Sequence, residues 1–286
     1  MSAAASPSEA SVSGRGVHGV AEVGFAGVGT ASLRHLYQRD PMRVLFPAQP
    51  AAEPPLAALV TTSGGLVGGD RIDVTVSAAD GASAIVAAQA AEKVYRSTGA
   101  DCLIDVRLEA AEGTWLEWLP QETILFDQAR LRRRVRIDRA PGGRVLAGEF
   151  LVLGRIASGE RMTRGLVREA WEVRRNGDLV WADALHVEDD LSAVLDHPAG
   201  FGGARAVACA VYAADDAPAR QQEARRLLDD LPAGVRAGAT VVNGVLVVRW
   251  LAERGDDVRC AFATFWAGFR ATAAGLAAGL PRLWHV

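Results

Sequence analysis

Short runs of two-residue alternation, separated by turn-forming residues, recur from about residue 21 of this 286-residue chain and restrict it to a fold built from sheets. In Ile104-Asp105-Val106-Arg107-Leu108-Glu109 every second side chain is apolar, as a half-buried strand requires. Val167 to Arg174 and Leu179 to Val187 flank Asn176-Gly177, while Thr240-Val241-Val242 and Val245 to Val248 flank Asn243-Gly244. Asn-Gly suits type I′ hairpins because both central residues take positive φ. The second pair of runs is continuously apolar or β-branched, which predicts strands covered on both faces. Two segments read as helices. The first spans about 218–231, with Asp216 as cap and Ala224, Leu227, Leu228 and Leu231 on one side. The second spans about 257–279 and carries Phe262, Phe265, Trp266 and Phe269 at helical spacing. The expected organisation is mainly β: a disordered tail over 1–20, then one domain over 21–286. No repeat of fixed period is visible.

Half of the residues are apolar, enough at this length for a substantial core. A net charge of -3 and a pI near 6.0 give no general attraction to nucleic acid or anionic membranes, so neither is an expected partner. The sequence shows no apolar stretch of signal-peptide length at its start and none of membrane-spanning length elsewhere. Cys102, Cys209 and Cys260 are odd in number, far apart and free of any C-x-x-C pairing. That argues against a disulfide framework or structural zinc and suits a reducing cytoplasm.

Gly64-Gly65-Leu66-Val67-Gly68-Gly69-Asp70 runs directly into the alternating Ile72-Asp73-Val74-Thr75-Val76. A phosphate-binding loop needs Lys-Ser/Thr, and a dinucleotide fingerprint needs a helix, at the point where this strand pattern begins. Gly64, Gly65, Gly68 and Gly69 therefore read as a tight strand-entry turn beside a carboxylate. No G-x-S-x-G elbow, H-E-x-x-H pair or clustered histidine supports nucleophilic or metal hydrolysis.

Several charged groups stand in apolar surroundings. Glu117, Gln121 and Glu122 lie in Leu116 to Asp127, where Pro120 predicts a corner, and they serve either structure or a wet passage. Glu149 and Asp183 are each flanked by apolar residues, so each requires an arginine, a backbone donor, water or a cation. Arg155, Glu160 and Arg161 belong to a local turn with pairing capacity. Arg130, Arg132, Arg133, Arg134 and Arg136 interleave with Leu131, Val135 and Ile137, which predicts a strand with a solvated cationic face. The stripe Phe262, Phe265, Trp266 and Phe269 is either core or an exposed contact for a partner protein.

Gly64 to Asp70, Leu116 to Asp127, Leu153-Gly154-Arg155 with Ser158-Gly159-Glu160-Arg161, and Pro281-Arg282-Leu283-Trp284 together resemble the UreD (UreH) urease accessory family in order and spacing. Arg43-Val44-Leu45 and Gln89 to Ser97 extend the resemblance. It implies a non-enzymatic scaffold, a β-helix-like stack of short strands with two α-helices in the C-terminal third. It also implies binding to urease apoprotein and to the accessory proteins UreF and UreG, the latter a GTPase, during nickel delivery in the cytoplasm. Nickel would be transient rather than tightly bound and would move through an internal channel. Thr61-Thr62-Ser63 departs from the family in lacking a histidine, and Glu92 stands where a threonine is common.

A conduit needs weak successive sites, so Asp70, Glu149 and Asp183 are the candidate oxygen donors along it. Asp70→Ala, or a bulky residue at Gly68, is expected to lower activation while sparing the fold. The alternatives are a nickel store, and an enzyme binding a phosphorylated ligand at Gly64 to Asp70.

Overall fold

Alternation becomes burial in the segment Arg71–Ala79, where Ile72, Val74, Val76 and Ala78 point inward and the residues between them reach solvent. The computed structural model describes residues 16–27 and 32–285. In chain order, β1 (His18–Ala26), β2 (Leu33–Arg39), β3 (Met42–Leu45) and β4 (Leu56–Thr61) lead to β5 (Arg71–Ala79). Next come β6 (Ser83–Ala88), β7 (Glu92–Val94) and β8 (Cys102–Ala110), then β9 (Trp115–Leu119), β10 (Thr123–Leu125) and β11 (Arg130–Arg139). β12 (Arg144–Leu153), β13 (Arg164–Arg175) and β14 (Asp178–Asp190) follow, before α1 (Leu191–Asp196) and β15 (Ala206–Ala213). The described chain closes with α2 (Gln221–Arg226), β16 (Arg236–Val242), β17 (Val245–Ala252) and α3 (Gly255–Ala274), then a last 3-10 turn.

The strands form two facing sheets. The first runs β14-β13-β11-β8-β5-β1-β2, and the second β16-β17-β15-β12-β9-β6-β4-β3. Successive circuits place β4, β6, β9 and β12 in parallel in the second sheet, and β5, β8, β11 and β13 in parallel in the first. The result is a β-solenoid-like stack of about four turns. Antiparallel pairs extend it at both ends. The circuits stack Leu56 on Ile85, Ile85 on Glu117 and Glu117 on Leu146, at unequal sequence spacings, which is why no fixed period is readable.

One core fills the space between the sheets, with Val74, Val106, Val135 and Trp171 stacked in register. A second lies between the other face of the second sheet and α3. Both Asn-Gly hairpins form, with φ of 52° and 82° at Asn176 and Gly177, and 48° and 82° at Asn243 and Gly244. β17 is covered on both faces as expected, but β16 is an edge strand and only partly buried. The helix expected at 218–231 is shorter, a 3-10 turn over Ala217–Arg220 followed by α2. Asp216 takes the N-cap position as expected, but its side chain makes no capping bond, because its carboxylate accepts the Tyr212 hydroxyl and Arg220 Nε. The helix expected at 257–279 begins earlier and stops at Gly275, whose φ of 69° ends it. Most of the expected tail lies outside the described residues, but His18 to Val20 already belong to β1. No described helix is long and apolar enough to cross a membrane.

Candidate functional site

The inward side of β11 presents Leu131, Val135 and Ile137 to the second sheet, with Arg133 in the same series and only 4% exposed. Its register partner on β13 is Glu169. Arg133 Nε and Nη2 donate to Glu169 Oε2 at 2.9 and 2.6 Å, and Nη1 donates to Thr123 Oγ1 at 2.8 Å. From the opposite sheet, Glu149 Oε2 of β12 lies 2.7 Å from Nη1 in an ion pair without hydrogen-bonding geometry. Trp118 Nε1 donates to the other oxygen, Glu149 Oε1, at 2.9 Å. Two buried carboxylates thus share one guanidinium. Burial pushes the pKa of Glu149 up, against the pull of Arg133 and with the help of Glu169's charge. Burial likewise raises Glu169 against the pull of Arg133. Glu169 Oε1 is buried without a hydrogen-bond partner.

This cluster separates two cavities that both touch Glu149. The first, about 220 Å³, is lined by Leu59, Thr61, Glu92, Trp118 and Gln121, and by Arg133 and Glu149. Gly64 and Gly65 also line it. Glu92 accepts Thr61 Oγ1 at 2.5 Å and the Lys93 amide at 3.1 Å, and burial pushes its pKa upward. The second cavity, about 400 Å³, is lined by Glu149, Glu169, Phe201, Cys209, Asp183 and Arg249. Their shared geometry comes from two facing rungs. One carries Ile72, Ile104, Arg133 and Glu169 across the first sheet, and the other carries Glu149, Cys209 and Arg249 across the second. The cavities therefore follow the stack from circuit to circuit.

Asp183 is not enclosed as its apolar sequence neighbours suggest: its side chain is 41% exposed, and Arg249 Nη2 donates to its Oδ2 at 2.5 Å in a surface ion pair at the edge of the second cavity. Burial pushes the Cys209 thiol up to about 12, which keeps it protonated and a poor metal ligand near neutrality. Among the described residues, no group of three or more His, Cys, Asp or Glu side chains is arranged to hold a metal ion.

The remaining candidates are dispersed. Asp70 lines neither cavity; its Oδ1 accepts the Val17 amide and its Oδ2 the Val67 amide, both at 2.8 Å, so it closes the turn onto β1. A Cβ on Gly68 would meet Ser97 Oγ at 2.2 Å and the Ala100 carbonyl at 2.4 Å. Asp70→Ala would remove the acceptor of the Val17 and Val67 amides, and a side chain at Gly68 would press on the neighbouring Ser97 to Ala100 segment, so both changes act on the packing of the turn. Gly69, at φ 96°, continues that turn. Glu117 lies on the opposite side of the second sheet from Glu149, against α3, and accepts Trp115 Nε1, Trp266 Nε1 and Arg270 Nε. Gln121 Nε2 donates to the Leu283 carbonyl at 2.7 Å, and Glu122 accepts from Arg259. Arg155 pairs with Glu160 at 2.8 Å and covers the Phe126 ring, while Arg161 is exposed. The partner contact expected at Phe262, Phe265, Trp266 and Phe269 is corrected: all four are at most 1% exposed and pack against the second sheet.

The cationic strand is corrected too. Arg130 and Arg132 pair with Asp101, and Arg134 and Arg136 with Asp105, so the outer face is a charge ladder rather than a free basic strip. Three residues of the site were not among the candidates: Arg133 stood only in the basic run, Glu92 only as a departure from the family pattern, and Glu169 not at all. The readable signal was Arg133's position between Leu131 and Val135 in the apolar series. Glu169 and Glu92 carry no comparable signal, because their surroundings depend on which strands stack beside them.

The family model described as UreD urease accessory protein matches residues 17–285. The chain is 44% identical to the urease accessory protein UreD of Magnetococcus marinus, over 100% of this chain and 99% of that one. It is 44% identical to UreD 2 of Methylorubrum populi, covering 93% and 88%, and 46% identical to UreD of Xanthobacter autotrophicus, covering 80% and 76%.

Proposed function

The chain belongs to the UreD urease accessory protein family, and from that premise we propose that it serves urease maturation as a non-catalytic scaffold with nickel passing through its interior. What supports the passage is the pair of cavities that meet at Glu149 between the sheets. A hydrated divalent ion entering this space loses part of its water shell, and fixed carboxylates offset that loss. Glu92, Glu149 and Asp183 supply oxygen at successive points along the two cavities, while Asp70 serves the turn. Oxygen ligands shared with water exchange readily, whereas clustered imidazole and thiolate would hold the ion back. UreF and UreG, the proposed accessory partners, would supply nickel at one end, and the urease apoprotein would receive it at the other.

A nickel store would need a closed set of ligands, and the described residues contain no such cluster. Phosphate binding at the glycine-rich turn is disfavoured because the turn leads into β5 and the Asp70 carboxylate occupies the Val67 amide. The test is co-expression of urease subunits, UreF and UreG with or without this chain under trace nickel, reading urease activity and nickel content. Omission should abolish loading, and Glu149→Gln should lower it while pull-down of the complex persists. Undiminished loading without the chain would refute the reading.

A further inference from the structure

We propose that Arg133 is a resident cation plug: its guanidinium occupies the place between Glu149 and Glu169 that a divalent ion takes in transit. The identity of the ion rests on the nickel passage proposed above; the plug itself rests on the geometry of the buried cluster. Arg133 and Glu149 line the first cavity, and Glu149 and Glu169 line the second, so this trio stands where the two spaces meet. It is rich in acceptors. Glu169 Oε1 is buried with no hydrogen-bond partner, and Glu149 Oε2 has only the ion pair with Arg133.

Charge counting points the same way. Glu92, Glu149 and Glu169, when ionised, carry three negative charges around the single charge of Arg133, and Glu92 is close enough to attract that guanidinium. A divalent ion added to Arg133 balances the three. The donors it would meet are carboxylate oxygens and the Thr123 hydroxyl, which now accepts from Arg133 Nη1. Waters in the two cavities would complete the shell. While the ion sits between Glu149 and Glu169, Arg133 has a place to go in the first cavity, toward Glu92. Arg133 thus sets both the resting neutralisation of the passage and the requirement that its cargo be a cation.

The full-length chain tests this without urease. Arg133→Gln should bind one Ni²⁺ at least tenfold more tightly than the wild type in equilibrium dialysis. Its melting temperature should fall by several degrees in chelator and recover on adding Ni²⁺. Arg133→Gln/Glu149→Gln/Glu169→Gln should lose both the binding and the metal-dependent shift. Arg133→Lys retains a charge but not the two-pronged guanidinium, so it should bind measurably better than the wild type. Absence of any gain in Arg133→Gln and Arg133→Lys overturns the proposal. If Arg133→Gln folds only with Ni²⁺, the proposal is supported; if it stays unfolded in Ni²⁺ while the triple variant folds, the proposal is overturned. A plug that fails here leaves the passage open to its own co-expression test, and the reverse also holds.

Discussion

Glu117 and Glu149 are neighbours in the second sheet with opposite orientations, and their surroundings give them different roles. Glu117 faces α3 and is fully enclosed by Trp115 Nε1 at 2.9 Å, Trp266 Nε1 at 2.7 Å and Arg270 Nε at 3.0 Å. Arg270 in turn donates to the Ala277 and Gly279 carbonyls and pairs with Glu53 at 2.7 Å. Every strong donor is used, so this pair locks α3 and the segment after it onto the sheet. Arg270→Met should cost about 3–5 kcal/mol in urea unfolding, because it leaves Glu117 buried without its counter-ion. Adding Glu117→Gln should recover part of that loss; a loss under about 1 kcal/mol in the single variant would show that the pair is not a lock. At this scale the sequence was legible only as a need: a carboxylate among tryptophans must be satisfied. Which arginine satisfies it, and on which face of the sheet, was not, since Glu117 and Arg270 are brought together only by the packing of α3.

The elements divide according to how local their causes are. The Asn-Gly hairpins and the stripe of α3 follow from backbone φ and helical spacing, and both were readable. The end of α2 was not, because Leu227, Leu228 and Leu231 pack into the second core without continuing the helix. The glycine-rich turn shows the same division. Gly64 has φ 74° with open space beyond it, whereas Gly68 is hemmed in by Ser97 and Ala100 of the neighbouring circuit. Gly64→Ala should therefore cost about 1 kcal/mol, from the backbone conformation alone. Gly68→Ala should cost about 1–3 kcal/mol from overpacking, and more if the 97–100 segment cannot yield. Thermal melts of the two variants check the order, and a Gly68→Ala melt indistinguishable from wild type would refute it.

At the scale of the molecule, the described carboxylates whose pKa values are shifted fall into two sets with opposite pH behaviour. Asp215 is held below the usual range by the Gly142 amide and Arg139. Burial works to raise Asp101 and Asp127, but Arg132 and Arg130 outweigh it at Asp101, and Thr163 and the Arg164 amide at Asp127. Folded pKa values below the unfolded ones mean that their stabilisation is present above about pH 4 and is lost as pH falls through the folded values. Glu92, Glu149 and Glu169 are raised, chiefly by burial, so protonating them favours the folded chain as pH falls from neutrality toward about 4.5. The melting temperature should therefore pass through a maximum near about pH 5–6 and drop by pH 3; a melting temperature unchanged between pH 6 and pH 3 would contradict this. What the amino-acid sequence by itself determined is the strand content, the hairpins, the aromatic helix and the family, because each rests on short-range periodicity or ordered motifs. The tertiary structure alone decided the site. Arg133, Glu149 and Glu169 come from three strands on two sheets, and only the stacking register of the circuits places one guanidinium between two carboxylates where the cavities meet.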